Sequence, residues 1–217
     1  MIKAVIFDMD GVIVDSEPIH FEVDKRVLKK CGLIINNEVL NPYVGVTNPE
    51  MWKDLKEKYD LTLSVEELLK SQSELKIEVF NESNIEAIGG IKELLNELMQ
   101  NEISTAVASS SPRSFIDAIL EKIGITEYFS VILSGEEVQR GKPNPDIFLK
   151  TAEMLKVNPK ECVVIEDSSA GVKAALSAGM KCIGFNNLNS GSQDLSSASA
   201  IVDSIRKIDY DFLLSSM

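Results

Sequence analysis

The stretch that decides the fold lies near the start of the chain and reads Ala4-Val5-Ile6-Phe7-Asp8-Met9-Asp10-Gly11. Its first four residues are apolar and favour β-structure, which predicts a fully buried strand, and Gly11 marks a sharp turn. Asp8 and Asp10 therefore stand at the carboxyl end of a strand. In an open α/β sheet the ligand crevice lies outside such ends, so the two carboxylates are candidates for binding a metal, attacking a substrate or moving protons. On its own, Asp-x-Asp-Gly is also a common turn.

The composition is that of an ordinary globular protein with an acidic balance. The chain has 217 residues, of which 44% are hydrophobic and 26% charged, and its formal net charge is −12. This length allows one domain with a modest insertion. The negative charge argues against nucleic acid or an anionic membrane surface as a partner, because both require a basic surface. Without a bilayer-spanning apolar run or a signal peptide, we expect a cytoplasmic protein, with a monomer as the default state.

Strand-like and helix-like segments alternate along most of the chain. Strands are predicted at 3–7, 103–108, 131–133, 162–165 and 181–185, and helices at about 91–100, 112–123, 145–155 and 170–178. The alternation predicts an α/β fold built on a Rossmann-like, doubly wound parallel sheet. The run 186–199, which contains Ser, Asn and Gly, is interpreted as a surface loop before a last helix near 203–214.

One segment interrupts this alternation. From about Val14 to Glu86, apolar residues recur at helical spacing and no good strand is found. We therefore predict an α-helical cap over residues 14–86, inserted into a core made of residues 1–13 and 87–217. Because the insertion follows directly on the strand that carries Asp8 and Asp10, a helical bundle there would stand above the carboxyl edge of the sheet, where a lid belongs.

A group of serines follows the second predicted strand. Ser109, Ser110, Ser111 and Pro112 lie where a strand passes into a helix. Such a junction presents free backbone amides at the positive end of a helix, and a hydroxyl beside them makes a phosphate site. Ser109 and Ser110 are the candidate phosphate-binding residues. Helix capping is the alternative, since Ser111 is a good N-cap and Pro112 a good first helical residue.

A lysine and an acidic pair complete the set of candidate residues. Lys142 lies between Gly141 and Pro143 in a rigid loop, where it would lose little freedom on binding a phosphoryl group; most lone lysines are solvated surface charges. Glu166 and Asp167 end the fourth predicted strand and, as an alternative, could cap the next helix. Carboxylates with water and phosphate oxygens are what Mg²⁺ prefers.

In this order the four motifs resemble those of the haloacid dehalogenase superfamily of phosphohydrolases, and more narrowly its members with a helical cap after the first strand. The resemblance covers nearly the whole chain. It implies that Asp8 is the nucleophile that forms a phosphoaspartate and that Asp10 protonates the leaving oxygen and then activates water. It also implies that a small phosphate ester is the substrate.

The same resemblance implies which of the remaining candidate residues bind phosphate and which bind the metal. Ser109, Ser110 and Lys142 would hold the transferring phosphoryl group. The Mg²⁺ site would consist of four acidic residues, Asp8, Asp10, Glu166 and Asp167, with Asp10 offering its backbone carbonyl.

Two longer matches point to the sugar-phosphate phosphatases and β-phosphoglucomutases within this superfamily. They are Asp15-Ser16-Glu17-Pro18-Ile19-His20 and Glu166-Asp167-Ser168-Ser169-Ala170-Gly171. In mutases of this kind a histidine at the position of His20 helps to time the general acid. An ordinary place in the first turns of a cap helix is an equally open interpretation of His20.

The sequence of the predicted cap loop distinguishes between phosphatase and mutase activity. It reads Val44-Gly45-Val46-Thr47-Asn48, with Gly45 and Asn48 as candidate substrate residues, and it lacks the lysine and arginine that mutases carry there. Without such a clamp a released phosphorylated sugar is hard to recapture. We therefore predict a Mg²⁺-dependent phosphatase of a small phosphorylated metabolite such as a sugar phosphate, with a β-phosphoglucomutase-like isomerase as the alternative.

Two other classes fit less well. A phosphorylation-switched signalling receiver also combines an acceptor aspartate, an acidic pair, a hydroxyl and a lysine around Mg²⁺. In receivers, however, the acidic pair ends the first strand, whereas Glu166 and Asp167 come late in this chain. A nucleotide-binding dehydrogenase is disfavoured because no Gly-x-Gly-x-x-Gly follows any predicted strand.

Overall fold

The computed structural model describes residues 2–44 and 46–216. Within them the strands form one parallel sheet in the order β3-β2-β1-β4-β5-β6. The chain order reverses at β1, which is the switch point where α/β proteins place their ligands. The predicted α/β fold with a doubly wound parallel sheet is confirmed. The strands are β1 (Ala4–Phe7), β2 (Ser104–Ser109), β3 (Val131–Ser134), β4 (Cys162–Glu166), β5 (Lys181–Phe185) and β6 (Ala200–Val202).

Nine α-helices are found in the described part of the chain. They are α1 (Glu17–Lys30), α2 (Asn37–Leu40), α3 (Asn48–Tyr59), α4 (Val65–Glu82), α5 (Ile91–Gln100), α6 (Arg113–Ile123), α7 (Asp146–Leu155), α8 (Ser169–Ser177) and α9 (Tyr210–Ser216). None of the helices in residues 2–44 and 46–216 is long and apolar enough to cross a bilayer.

The end of the chain differs from the sequence-based prediction. The run 186–199 leads into the edge strand β6, which was not predicted, and the helix expected near 203–214 is a 3₁₀ turn at Ile205–Lys207 followed by α9. β6 has only three residues and pairs with β5 alone. A strand this short carries too little alternation to be recognised without its partner.

Strand β1 lies at the centre of the sheet, and its pairing with both neighbouring strands determines where Asp8 lies. Its four side chains are fully buried. Phe7 is in register with Val107 of β2 on one side and with Ile165 of β4 on the other. The backbone amide of Asp8 continues the pairing by donating to the Ile165 carbonyl at 3.0 Å. Because these strands are parallel and in register, their polar end residues emerge at the same edge of the sheet.

The chain divides into two compact units. The sheet and its helices make up Met1–Asp15 with Ile85–Met217, and α1 to α4 belong to Ser16–Asn84. The helical segment is thus inserted after β1, as predicted. These boundaries lie two residues from the predicted ones at 13/14 and 86/87. The assignment of the inserted unit as a cap for the site stays a prediction.

The inserted unit has an apolar core of its own. Helices α1 and α4 pack against each other through buried positions at helical spacing, among them Val23, Val27, Leu68 and Leu75. Helix α4 begins at a capping box, in which Ser64 and Glu67 each hydrogen-bond the backbone amide of the other.

Candidate active site

The side chain of Asp8 faces a lysine that is distant in sequence. Lys142 Nζ lies 2.5 Å from Asp8 Oδ1, and the two side chains are only 7% and 9% exposed. Oδ2 of Asp8 accepts no hydrogen bond within the described residues. One carboxylate oxygen is therefore held by a cation while the other keeps its lone pairs for a ligand.

Lys142 has three acceptors, which matches the three hydrogens of its ammonium group. Besides Asp8, it donates to Glu166 Oε1 at 2.7 Å and to the Ala108 carbonyl at 3.1 Å. Its Nζ also lies 5.0 Å from the centre of the buried Phe148 ring, within cation–π range. Lys142 is thus a buried, fully coordinated cation and not a solvated surface charge.

Both carboxylate oxygens of Glu166 accept hydrogen bonds from the protein, and one of these donors is Lys142. Its Oε1 accepts from Lys142, and its Oε2 accepts from the amide and the hydroxyl of Ser168 at 2.8 and 2.9 Å. A Cβ placed on Gly171 would lie 1.6 Å from Glu166 Oε1, so the side chain occupies space that only a glycine leaves. The expected role of Glu166 as a metal ligand stays a prediction.

Asp10 is held by two serines, one at the end of β2 and one just after it. Its Oδ2 accepts from the hydroxyls of Ser111 at 2.8 Å and Ser109 at 3.3 Å. Ser109 is fully buried and its Oγ accepts from the Ser111 amide at 3.0 Å. Ser110, by contrast, is exposed. The structure therefore brings Ser109 to Asp10 but leaves Ser110 facing solvent.

The expected capping role of Ser111 is not what the structure shows. Helix α6 begins at Arg113, one residue later than predicted, and Pro112 occupies the N-cap position. The Ser111 hydroxyl binds the Asp10 carboxylate, a stronger acceptor than a neutral group. Sequence reasoning missed this contact because a serine before a proline already has a local explanation.

Asp167 lies against the turn that follows β1. A Cβ on Gly11 would be 2.0 Å from Asp167 Oδ2, and Gly11 has a φ of +80°, a conformation that favours glycine. The same Oδ2 accepts a hydrogen bond from the Ser190 hydroxyl. Asp167 is 7% exposed. It therefore joins the carboxylates around Asp8, as the order of the motifs predicts.

This cluster contains more carboxylates than ammonium groups. Burial and the neighbouring charges shift the pKa values of its members. Burial raises the pKa of Asp8 well above its ordinary value; Lys142 lowers it, while Glu166, Asp167 and Asp10 raise it further. Burial, followed by the charge of Glu166, raises the pKa of Asp167 to about 7. Burial disfavours the ammonium form of Lys142, but its two carboxylate partners raise its pKa and keep it charged.

This donor set fits a small hard cation. Within residues 2–44 and 46–216, no group of three or more His, Cys, Asp or Glu side chains is arranged to hold a metal. Mg²⁺ does not require one, since one or two carboxylates with water and substrate phosphate suffice. Asp8 and Asp167 provide two carboxylates, in a cluster whose excess negative charge a divalent cation would neutralise.

Two candidate substrate residues of the inserted unit, His20 and Asn48, belong to separate helices. His20 lies in the second turn of α1, one turn before the buried Asp24. Asn48 is the first residue of α3. Gly45 lies outside the described residues. Substrate contacts of these three residues stay predictions.

Comparison with known proteins agrees with this geometry. The chain matches the haloacid dehalogenase-like hydrolase family over residues 5–185, a range that includes every polar residue around Asp8 except Ser190. The chain belongs to this family. Its members are generally Mg²⁺-dependent, in accord with the hard oxygen donors beside Asp8.

The relatives of this chain within the haloacid dehalogenase-like family include proteins named as phosphatases and proteins named as beta-phosphoglucomutases. A phosphorylated carbohydrates phosphatase of Thermotoga maritima is 37% identical over 181 residues, 83% of each chain. A beta-phosphoglucomutase of Bacillus subtilis is 31% identical over 188 residues, 84% of this chain and 82% of that one. The crystal structure of beta-phosphoglucomutase from Clostridium difficile superposes with a TM-score of 0.80 at 29% identity, covering 100% of this chain and 97% of the other.

Proposed function

We propose that this protein is a Mg²⁺-dependent phosphatase that hydrolyses a small phosphorylated metabolite, a sugar phosphate in particular, through a phosphoaspartate on Asp8. The observation that carries the proposal is the state of the Asp8 carboxylate. Lys142 holds Oδ1 at 2.5 Å, and Oδ2 accepts no hydrogen bond from the described residues. A carboxylate oriented in this way is suited to nucleophilic attack.

In the first step Asp8 Oδ2 attacks the phosphorus of the ester and forms an acyl-phosphate bond. The bond between phosphorus and the sugar oxygen breaks, and its electron pair goes to that oxygen. The Asp10 carboxyl group gives this oxygen its proton, so the sugar leaves as a neutral alcohol. Ser111 and Ser109 keep the Asp10 carboxyl group oriented for this transfer.

In the second step water attacks the phosphorus of the phosphoaspartate. Asp10, now ionised, takes a proton from the water, and the phosphorus–Asp8 bond breaks. Inorganic phosphate is released, and both aspartates return to their starting forms. The same residue acts first as an acid and then as a base, so no further titrating group is needed.

The other residues serve binding and orientation. Lys142 orients Asp8 and offers positive charge to the phosphoryl oxygens, aided by the Ser109 hydroxyl. Glu166 holds Lys142 in place. Asp8, Asp167 and the Asp10 backbone carbonyl would hold Mg²⁺, which neutralises charge on the phosphate when bound.

The one arginine of the inserted unit favours hydrolysis over isomerisation. Arg26 is the only arginine between residues 16 and 84. Its guanidinium group is bound by Glu22 at 2.9 Å, Glu78 at 3.3 Å and Glu82 at 2.6 Å. Three carboxylates compete with any phosphate for this cation, so it is a poor clamp for a second phosphate group.

A mutase remains the second candidate because relatives of that name cover most of the chain. The T. maritima relative is named for phosphorylated carbohydrates, which supports a sugar phosphate as the substrate class of either activity. The two candidates differ only in the fate of the released sugar: a phosphatase lets it go, and a mutase returns a phosphoryl group to another hydroxyl.

Both activities are measured on the same preparation. Phosphate release is followed over a panel of sugar phosphates with Mg²⁺ and with EDTA, and β-glucose 1-phosphate conversion is followed in a coupled assay. We expect Mg²⁺-dependent phosphate release to exceed isomerisation. Isomerisation faster than phosphate release would establish the mutase instead. Absence of both reactions with every substrate would reject the proposed function.

Two variants test the intermediate. Asp8→Asn removes the nucleophile and should abolish turnover. Asp10→Asn keeps the nucleophile but removes the acid and base, which is typically worth 10²–10⁴-fold. We expect phosphoaspartate to accumulate in Asp10→Asn when the substrate has a good leaving group, with hydroxylamine sensitivity as the readout. Wild-type turnover by Asp8→Asn would contradict the mechanism.

A further inference from the structure

The loop that follows β5 returns to the edge of the sheet where Asp8 lies. Its first residues are ordered by their own hydrogen bonds: the Asn187 amide donates to the Phe185 carbonyl at 2.9 Å, and the Asn189 amide donates to Asn187 Oδ1 at 2.9 Å. We call Asn187–Ser190 the clamp segment. Although the sequence predicts only a surface loop here, the segment has a defined local structure.

Three side chains of the clamp segment bind residues of the candidate active site or its flanks. Asn187 Nδ2 donates to the Gly11 carbonyl at 2.9 Å, and Asn189 Nδ2 donates to Asp15 Oδ2 at 2.6 Å. The Ser190 hydroxyl donates to Asp167 Oδ2. The clamp segment thus joins the turn after β1 to the carboxylate after β4, two segments more than 150 residues apart in sequence.

Ser190 lies very close to both of these segments. A Cβ on Gly11 would be 2.7 Å from Ser190 Oγ and 2.0 Å from Asp167 Oδ2. There is no room at this point for a larger residue in place of Gly11. A second support comes from Gln193, whose Nε2 donates to the Ser190 carbonyl at 3.2 Å. This hydrogen bond helps to hold the backbone of Ser190, from which its hydroxyl reaches Asp167.

We propose that Ser190 is a positioning residue for the cation site, acting through Asp167, with Asn187 fixing the adjacent turn. This inference rests on the proposed function, in which Asp167 helps to hold Mg²⁺. A carboxylate with one oxygen bound by a fixed hydroxyl has fewer orientations, so it loses less conformational entropy when a cation binds the other oxygen.

The loop offers a matched control. Ser192 lies two residues further on, is exposed, and its hydroxyl makes no hydrogen bond within the described part of the chain. Ser192→Ala removes the same atom from the same loop without touching Asp167. Ser190→Thr keeps the hydroxyl and serves as the conservative replacement for Ser190→Ala.

Mg²⁺ binding to the full-length protein is measured by titration calorimetry with MgCl₂ alone, without substrate. We expect Ser190→Ala to weaken Mg²⁺ binding by roughly 10- to 100-fold, the usual effect of removing an outer-shell partner. Ser192→Ala should bind Mg²⁺ like the wild type, and Ser190→Thr should recover most of the affinity. In the phosphatase assay, the Mg²⁺ concentration for half-maximal rate should rise for Ser190→Ala by a similar factor.

The outcomes separate the two proposals. If the wild type binds Mg²⁺ and Ser190→Ala binds it equally tightly, Ser190 has no positioning role, while the proposed function stands. If the wild type neither binds Mg²⁺ nor releases phosphate, the proposed function fails. If Ser192→Ala weakens Mg²⁺ binding as much as Ser190→Ala does, the effect comes from the loop in general. That result would overturn the assignment to Ser190. If Ser190→Ala does not fold, Ser190→Cys, which replaces the hydroxyl donor by a much weaker thiol donor, takes its place, and unchanged Mg²⁺ affinity in that variant would overturn the proposal.

Discussion

Lys142 and Asp8 are 134 positions apart in sequence, yet the lysine Nζ lies 2.5 Å from the aspartate Oδ1 in an almost fully buried pair. The contact forms because the carboxyl end of the central strand β1 and the loop before α7 meet at the same edge of the sheet. The ion pair fixes which oxygen of Asp8 remains available to a ligand.

Removing the Lys142 cation should cost both activity and stability. Lys142→Met leaves the carboxylates of Asp8 and Glu166 buried without a counter-ion, and breaking such a pair costs about 3–5 kcal/mol. We expect phosphate release to fall by at least roughly 10³-fold and the urea midpoint to fall as well. Lys150→Met is the control, because Lys150 is on α7 but donates only to the Glu137 carbonyl. Near wild-type activity in Lys142→Met would contradict the proposed mechanism.

The serines after β2 should differ in effect although they are neighbours. Ser111→Ala removes the 2.8 Å hydrogen bond to Asp10 and should lower kcat by about tenfold or more, with a smaller effect on KM. Ser110→Ala should leave both constants within about threefold, because Ser110 is exposed. Steady-state kinetics with one sugar phosphate measures both. A large increase in KM for Ser110→Ala would support the predicted phosphate-binding role of Ser110.

Two glycines with similar φ values can test whether the close approach of Asp167 to Gly11 is important. Gly11 and Gly32 have φ values of +80° and +83°, but a Cβ on Gly32 would meet nothing within 4 Å. Gly32→Ala should therefore cost only the left-handed conformation, about 1–2 kcal/mol, and keep activity. Gly11→Ala should lose more stability and nearly all activity, because its Cβ displaces the Asp167 carboxylate. Equal losses of activity in the two variants would show that the approach of Asp167 to Gly11 is unimportant.

A buried carboxylate in the inserted unit should make stability depend on pH. Burial raises the pKa of Asp24 to about 6, against an ordinary value of 3.8, while its hydrogen bond from Gln72 lowers it. The folded state then holds the Asp24 proton more tightly than the unfolded state, so the free energy of unfolding falls as pH rises from about 4 to about 6 and stays lower above that range.

Asp24→Asn removes this penalty and keeps an acceptor for Gln72. We expect the variant to be more stable than the wild type by about 2 kcal/mol at pH 7.5, with the difference vanishing near pH 4. The fluorescence of Trp52, the only tryptophan, reports urea unfolding of this unit, in which it is fully buried. A wild type that is the more stable of the two at pH 7.5 would contradict the assigned pKa direction. Glu38→Gln, an exposed change in the same unit, is the control.

Much of the core could be predicted because its signals are local. The runs 131–133 and 181–185 are apolar and end at turn residues, and they became β3 and β5 with at most one residue of difference. The helix predicted at 91–100 begins and ends as predicted. β6 escaped prediction because an edge strand of three residues depends on pairing with β5, which is not a local property.

The candidate site was predictable in its members but not in their contacts. Asp8, Asp10, Lys142 and Asp167 follow strand or loop ends that the motif order identifies. Which oxygens are occupied depends on distant side chains, as the Lys142 ammonium group bound to Asp8 Oδ1 and Glu166 Oε1 illustrates. Sequence reasoning gave Ser190 no role because nothing in a polar loop indicates the carboxylate it binds.

The amino-acid sequence by itself determined the parallel sheet, the helical insertion after β1 and the residue types at the sheet edge, since periodicity and turn chemistry act over a few residues. Only the tertiary structure decided that Lys142 binds Asp8 and Glu166. It also decided that Ser111 donates to Asp10 and that Ser190 donates to Asp167. These pairings join segments far apart in sequence, and they exist only because packing of the sheet brings those segments within hydrogen-bonding distance.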